Sequence, residues 1–347
     1  MENPNTNDKS KLTNNTDKED LNKDNSFRDS CFNSLTFVCF IGTTYMLMSY
    51  DSFWEDRKHL KPEGYVLPSF KDFNFCIPGT AILCLIKYIF EKLFYNVTYN
   101  NILSSKYRNA TNEEDIKMGH IYNKKLITNF YKTAYFIIMI IFAYSTCSDA
   151  PYFPKELGGN GEIINIFNGG VTNFLYFYKP YHLSTYYLIS LSYVLSDLIW
   201  LIFIYESQTD FPLMILHHAL TISLLIFSHL VNLSHVGLIV LFTHDFTDIF
   251  VYISRTVINT DMKDKHKISI GIVFVLVFIY MRLFVFGKLI LFEGLYGNDW
   301  SAFLYVCFLF KNILMIMHIY WLYNIILRIV SFNIQDVGKV KTKTKNK

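Results

Sequence analysis

The sequence predicts an all-α polytopic membrane protein, and three observations carry that prediction. The chain of 347 residues is 52% hydrophobic and 18% aromatic, too apolar for a soluble domain of its size. Its apolar residues come in blocks of about 18 or more with few charges, the length needed to cross hydrocarbon. Within each block the apolar residues run all round instead of alternating with polar ones. That pattern points to helices, because a bilayer offers no partner for an unpaired backbone group and a barrel strand would alternate.

Taken in chain order, residues 1–31 open on "MENPNTNDKSKLTNNTDKEDLNKDNSFRDS", a polar stretch of Asn, Asp and Lys that reads as a disordered tail. No charged start leads straight into an apolar core with a cleavage site, so a removable signal peptide is not expected. Residues 32–72 make an N-terminal transmembrane segment, at 32–50, and its loop. That first run is the weakest, since it carries Asn33 and several hydroxyls. Residues 73–330 hold the remaining runs, near 73–94, 126–147, 184–204, 212–231, 236–257, 268–291 and 301–327. Residues 331–347, ending "VGKVKTKTKNK", form a basic tail. The six cysteines lie in or beside apolar runs with no CxxC pair, and they read as small core residues.

Loop charge sets the orientation. Lys106, Arg108, Lys117, Lys124 and Lys125 follow the second run. Arg255, Lys263, Lys265 and Lys267 follow the sixth, whereas 148–183 holds only Lys155 and Lys179 and "LFEGLYGNDW" carries acids alone. The basic loops therefore face the cytosol, as does the C-terminus. Eight spans place both termini there. Seven spans place the N-terminus in the lumen, where the sequon at Asn14 becomes usable. Lysines at the third and fifth positions from the end resemble a dilysine signal for the endoplasmic reticulum membrane.

The candidate site lies in the fifth and sixth runs. His217 and His218 in "ILHHALT" sit about 10 Å along a helix from its start near Phe211. In "FTHDFTDIFVYISR", His244 and Asp248 are four apart and share a helix face, with Asp245 close beside them. A short connection makes the two helices antiparallel neighbours. The expectation is that the imidazoles of one meet the carboxylates of the next. A single histidine in a membrane helix serves most often as interhelical glue. Two histidines facing two carboxylates are costly to bury and point instead to chemistry, with an imidazole as base or acyl acceptor. No metal is expected: the histidines lack the HxxxH and HxxHH clusters of membrane di-iron enzymes. Nor does the chain carry a Gly-rich phosphate loop, a GxSxG elbow or a nucleic-acid pattern.

The stretch "LHHALTISLLIFSHLVNLSHVGLIVLFTHDFTDIFVYISRTVIN" resembles the Lag1 motif of ceramide synthases, about 215–258, which lies within the TLC domain. His217, His218, Thr221, Ser228, Asn232, Gly237, His244, Asp245 and Asp248 match with their spacing intact. Further segments fit the same family, among them "SFWEDR", "KYIFEKL", "FYKTAYFIIMIIFAYSTCSDAPYF", "STYYLISLSY", the "TDF" before the histidines and "MHIYWLYNIILRIV". The chain departs from the family at His235, Tyr252, Arg255 and Ser190, the last standing where the family has a Glu, and it has no homeodomain-like insert.

The resemblance implies a TLC-type bundle of six to seven transmembrane helices around a lipid groove, plus an extra N-terminal helix. It implies N-acylation of a sphingoid base by a fatty acyl-CoA, with His217, His218, His244, Asp245 and Asp248 catalytic. No tightly bound cofactor is expected, acyl-CoA being a co-substrate. Arg255, Lys124 and Lys125 are candidate contacts for the CoA phosphates, although charges of that sign also set orientation. The expected partners are acyl-CoA, the sphingoid base and membrane lipids, in a monomer or a homo- or hetero-dimer. The alternatives are a non-catalytic TLC protein that binds lipid or accompanies a translocon, and a transporter relaying protons through its His/Asp cluster; no inverted repeat supports the latter.

Overall fold

The computed structural model describes residues 32–60, 68–167, 181–203, 211–296 and 301–345. The polar tail 1–31 with its sequon, most of "TDF", part of "LFEGLYGNDW" and the last two residues lie outside the described residues, as do the side chains of 331–345. Eight helices among the described residues are long and apolar enough to cross a membrane. They are α1 (Phe32–Glu55), α2 (Cys76–Asn101), α3 (Glu113–Cys147), α4 (Tyr181–Phe203), α5 (Phe211–Leu230), α6 (Ser234–Ile258), α7 and α8 (Ala302–Lys345). The seventh runs as Asp264–Phe278, a π-helical stretch Ile279–Val285 and then Phe286–Tyr296. The 32–50 run is thus helical to Glu55, and the 331–347 tail continues α8 as far as Lys345.

α2 shows how composition dictates placement in such a bundle. Ile77, Ile82, Leu85, Ile86 and Leu93 are exposed, while the buried residues are Cys76, Lys87 and Thr98. This is the reverse of a soluble helix, as expected where the surrounding medium is hydrocarbon. Its packing face is made of small residues. Cys76 Sγ lies 3.6 Å from the Leu188 carbonyl, Thr80 Oγ1 donates to the Ser192 carbonyl at 3.2 Å, and Cys84 Sγ sits 3.3 Å from Ser196 Oγ. A Cβ at Gly79 would press on Ser192. Small and hydroxyl side chains let α2 and α4 approach closely in the absence of a hydrophobic drive.

α1 docks on α5 and α8 by the same means. Thr43 Oγ1 and Ser223 Oγ are 3.0 Å apart, and Gly42 accepts the Phe310 ring, which a methyl group would displace. α3 packs along α6, and its N-terminus is capped by Asn112, whose side chain accepts the Asp115 N–H at 2.6 Å.

The α5–α6 connection fixes the geometry of the site. It is three residues long, and Asn232 takes the left-handed conformation at φ 61°, which Asn tolerates better than branched residues. The Leu233 N–H closes the turn on the Ser228 carbonyl at 2.7 Å. Immediately beyond it, Gly237 is required for space, because any Cβ would overlap the Tyr187 hydroxyl of α4. That hydroxyl lies 2.8 Å from Ser228 Oγ. Two residues of the motif, Asn232 and Gly237, therefore shape the backbone.

The two ends of the bundle are tied differently. At the basic end, the Asp261 carboxylate accepts from Ser104 Oγ at 2.8 Å and from the Ser105 N–H at 2.9 Å, joining the α2–α3 and α6–α7 loops. The Ser104 hydroxyl and the Ser105 N–H hold that carboxyl below its ordinary range. At the other end, residues 148–167 fold as a compact loop with Phe153 buried, and Lys288 of α7 pairs with Glu156. Cys39, Cys76, Cys84, Cys147 and Cys307 are free thiols, four of them buried, in line with small core residues.

Candidate active site

Seven of the eight helices, α2 to α8, bring polar groups to the middle of the bundle. On α5, His217 and His218 diverge as adjacent helical residues must. His218 is 6% exposed and turns toward α4, where its Nε2 lies 3.7 Å from Asp197 Oδ2. Asp197 in turn accepts from Lys132 of α3 at 2.7 Å, and Lys87 of α2 stands 4.0 Å from its other oxygen. The Lys132 ammonium also reaches the Tyr252 hydroxyl at 3.3 Å, and Lys87 lies over the Trp200 ring. His217 is half-buried and packs edge-on to Trp321 of α8, with ring centroids 5.3 Å apart. Neither nitrogen of His218 has a hydrogen-bond partner among the described residues, nor does His217 Nδ1.

The second half of the site lies on α6, α7 and α8. His244 Nδ1 sits 2.7 Å from the Val240 carbonyl and His244 Nε2 lies 3.1 Å from His318 Nε2. A carbonyl can only accept, so the hydrogen-bond network assigns the His244 proton to Nδ1 and leaves its Nε2 bare. His318 must then donate from Nε2, and its own Nδ1 is buried with no hydrogen-bond partner among the described residues. Phe278 and Phe286 wall this imidazole pair. Asp248 forms an ion pair with Arg282, which sits inside the π-helical stretch of α7. One extra residue per turn there re-aims a side chain, and such bulges recur at functional sites. The Arg282 Nε is buried without a hydrogen-bond partner among the described residues. Asp245 accepts from the Tyr186 hydroxyl of α4 at 2.8 Å. The arrangement is thus an apolar interior that holds charges in pairs and leaves several imidazole nitrogens and one guanidinium nitrogen without a partner among the described residues, as a site for a polar reacting group would.

The TLC domain model matches residues 125–327, more than half of the chain. The chain belongs to the TLC-domain family. Its described residues meet the family's architecture as an all-α bundle of membrane-length helices. Among individual relatives, it is 32% identical to bovine ceramide synthase 4 over 160 residues, which are 44% of this chain and 39% of the relative. It is 29% identical over 173 residues to sphingosine N-acyltransferase lac1 of Schizosaccharomyces pombe, 44% of this chain and 43% of that one. It is 23% identical over 305 residues to ceramide synthase LOH1 of Arabidopsis thaliana, 83% of this chain and 94% of the relative. The matched stretch thus spans about two-fifths of the length of bovine ceramide synthase 4.

Within this TLC domain, the five residues singled out from sequence gather in one region, but not in the expected pairs. The carboxylate facing His218 is Asp197 of the preceding helix, not Asp245 or Asp248 of the following one. Those two are already engaged, by Tyr186 and by Arg282. His318, which stands alone in the sequence, pairs with His244. Lys124, Lys125 and Arg255 are all exposed, and Arg255 and Lys125 lie over the Tyr252 and Tyr122 rings. Among the described residues, no three His, Cys, Asp or Glu side chains converge in a way that could hold a metal ion. Sequence reading passed over Lys87, Lys132, Asp197 and Arg282. Each is a lone charge inside an apolar run, and that isolation was the available signal.

Proposed function

We propose that this TLC-domain protein is a ceramide synthase, an acyl-CoA-dependent sphingosine N-acyltransferase of the endoplasmic reticulum membrane with a cytosolic C-terminus. The observation that carries the reading is the pair His217–His218, set in the bundle beside a carboxylate and a second imidazole pair, with ring nitrogens that no group among the described residues satisfies. The relatives named ceramide synthase and sphingosine N-acyltransferase align with this chain.

In the reaction, the free-base amine of a sphingoid base attacks the thioester carbonyl of a fatty acyl-CoA. The C–N bond forms, the C–S bond breaks, and a proton passes from the amine to the departing thiolate. A histidine in an apolar site can accept and return that proton, or carry the acyl group between the two steps. His217 or His218 fills that role. His244, paired with His318, and the acids Asp245 and Asp248, engaged by Tyr186 and Arg282, complete the polar interior in which the positive charge develops. Acyl-CoA acts as co-substrate with no tightly bound cofactor. The exposed Arg255, Lys124 and Lys125 are this reading's candidates for meeting the CoA phosphates.

Membranes containing the protein, given a sphingoid base and labelled acyl-CoA, test this. The expected result is a CoA-dependent amide product that disappears in His217→Ala or His218→Ala at unchanged protein level. Full activity in both variants overturns the assignment. A protein that binds sphingoid base or ceramide but forms no amide belongs instead to the non-catalytic lipid-binding members.

A further inference from the structure

Among the described residues, Asp197 is the only carboxylate within 4 Å of a ring nitrogen of His217 or His218. We infer that Asp197 is a positioning residue for His218: it holds the imidazole in the tautomer with hydrogen on Nε2, leaving Nδ1 bare as the proton acceptor. This rests on the acyltransferase reading above.

Asp197 is a charged residue, 9% exposed, in a helix that is otherwise apolar over several turns. A buried charge persists only where other groups fix and compensate it. Here Lys132 donates to Oδ2 from α3 and Lys87 approaches Oδ1 from α2, so the group is held from two sides. Oδ2, the oxygen that Lys132 holds, also faces His218 Nε2 at 3.7 Å, too far for a hydrogen bond but close for two polar groups in an apolar interior. At that separation the carboxylate favours an N–H on the near nitrogen and opposes a lone pair there. The hydrogen therefore resides on Nε2. Nδ1, buried and without a partner among the described residues, is left to accept.

The proton balance is simple. As the amine nitrogen bonds to the acyl carbon, one of its protons moves to His218 Nδ1. The C–S bond breaks, and the same proton passes to the thiolate, giving the free thiol and returning the imidazole to its neutral form. While the ring is doubly protonated, its positive charge faces Asp197. Without the carboxylate it would face Lys132 and Lys87 uncompensated, and proton transfer would slow with no change in how substrates bind.

The full chain in membranes is compared with Asp197→Asn, Asp197→Glu and the double variant Asp197→Asn/Lys132→Met, with protein level and melting measured for each. Asp197→Asn lowers kcat on the order of 10²-fold, the span of one proton-transfer role, with KM for both substrates unchanged. Asp197→Glu recovers most of that loss. The double variant removes the carboxylate and its main cation together, so it stays folded where the single variant does not, and its kcat stays low. The inference is overturned by wild-type kcat in Asp197→Asn. It is equally overturned by a change confined to KM, by a Glu variant no better than Asn, or by recovery of kcat in the double variant, since the carboxylate would then serve only Lys132. A wild-type protein that makes no amide removes the acyltransferase reading itself. Activity lost in His218→Ala but kept in the Asp197 variants removes this inference alone.

Discussion

Arg282→Met separates what the polar cluster does for the fold from what it does for the reaction. The Arg282 side chain is 6% exposed and that of Asp248 24%, and the two form an ion pair between α7 and α6. Removing one member of a buried pair leaves an uncompensated charge and costs about 3–5 kcal/mol. Asp248 keeps a quarter of its side-chain surface open, which places the cost at the lower end, about 3 kcal/mol. At roughly 2 °C per kcal/mol, the low end of the range for chains of 150–250 residues, melting falls by about 6 °C. Protein in detergent can be followed with a thiol-reactive fluorophore, since Cys39, Cys76, Cys147 and Cys307 are buried free thiols that report opening of the bundle. The double variant Arg282→Met/Asp248→Leu removes both charges, and such replacements are close to neutral. Its melting temperature returns to within about 2 °C of wild type, while amide formation stays lost. A single variant that melts like wild type, or a double variant that melts like the single one, refutes the reasoning.

Further outcomes follow from the same contacts. Gly237→Ala drives a methyl group into the Tyr187 hydroxyl and parts α4 from α6, so the variant melts several degrees lower, by a penalty of about 1–3 kcal/mol for overpacking. Lys311→Met strands Glu293 in the α7–α8 interface and costs about 3–5 kcal/mol, whereas Lys311→Met/Glu293→Leu restores the melting temperature. Tyr186→Phe deletes the donor to Asp245, leaving a buried carboxylate oxygen without it, and lowers stability by about 1–3 kcal/mol with expression retained. Asp261 is held below the ordinary carboxylate range, so its tie to Ser104 and Ser105 is complete at neutral and mildly acid pH and is lost only as pH falls through that lowered value. Proteolysis or hydrogen exchange of residues 102–112 should accordingly rise only in strong acid, and in Asp261→Asn at every pH.

The helices were legible because membrane length and all-round apolarity leave little else for those runs to be. The gathering of His217, His218, His244, Asp245 and Asp248 was legible because a three-residue connection forces α5 and α6 side by side. The pairing was not. Spacing along a chain tells which residues share a helix face, but not which neighbouring helix that face meets. His218 faces α4, not α6, because adjacent residues diverge by about 100° and the Tyr187–Gly237 contact seats α4 against the start of α6. Arg282 was harder still: its aim depends on a π-helical stretch that no local pattern in "FIYMRLFV" announces. His318 looked isolated because its partner lies 74 residues away.

The charges that sequence reading passed over bear directly on how this interior can exist. Asp197, Asp248 and Glu293 each meet a cation from a different helix: Lys132 and Lys87, Arg282, and Lys311. A hydrocarbon environment makes an unmatched charge so costly that each pair specifies which helices may be neighbours, whatever it adds to net stability. α2, α3, α4, α6, α7 and α8 are all fixed in this way. Among the described residues, α5, which carries His217 and His218, supplies no partner to these pairs and comes within 4 Å of them only where His218 approaches Asp197 at 3.7 Å. The His217 and His218 rings thus change protonation during a reaction without breaking any of these ion pairs. Imidazoles that stand outside the ionic pairs, yet within reach of Asp197, suit a base that must gain and lose a proton at every turnover.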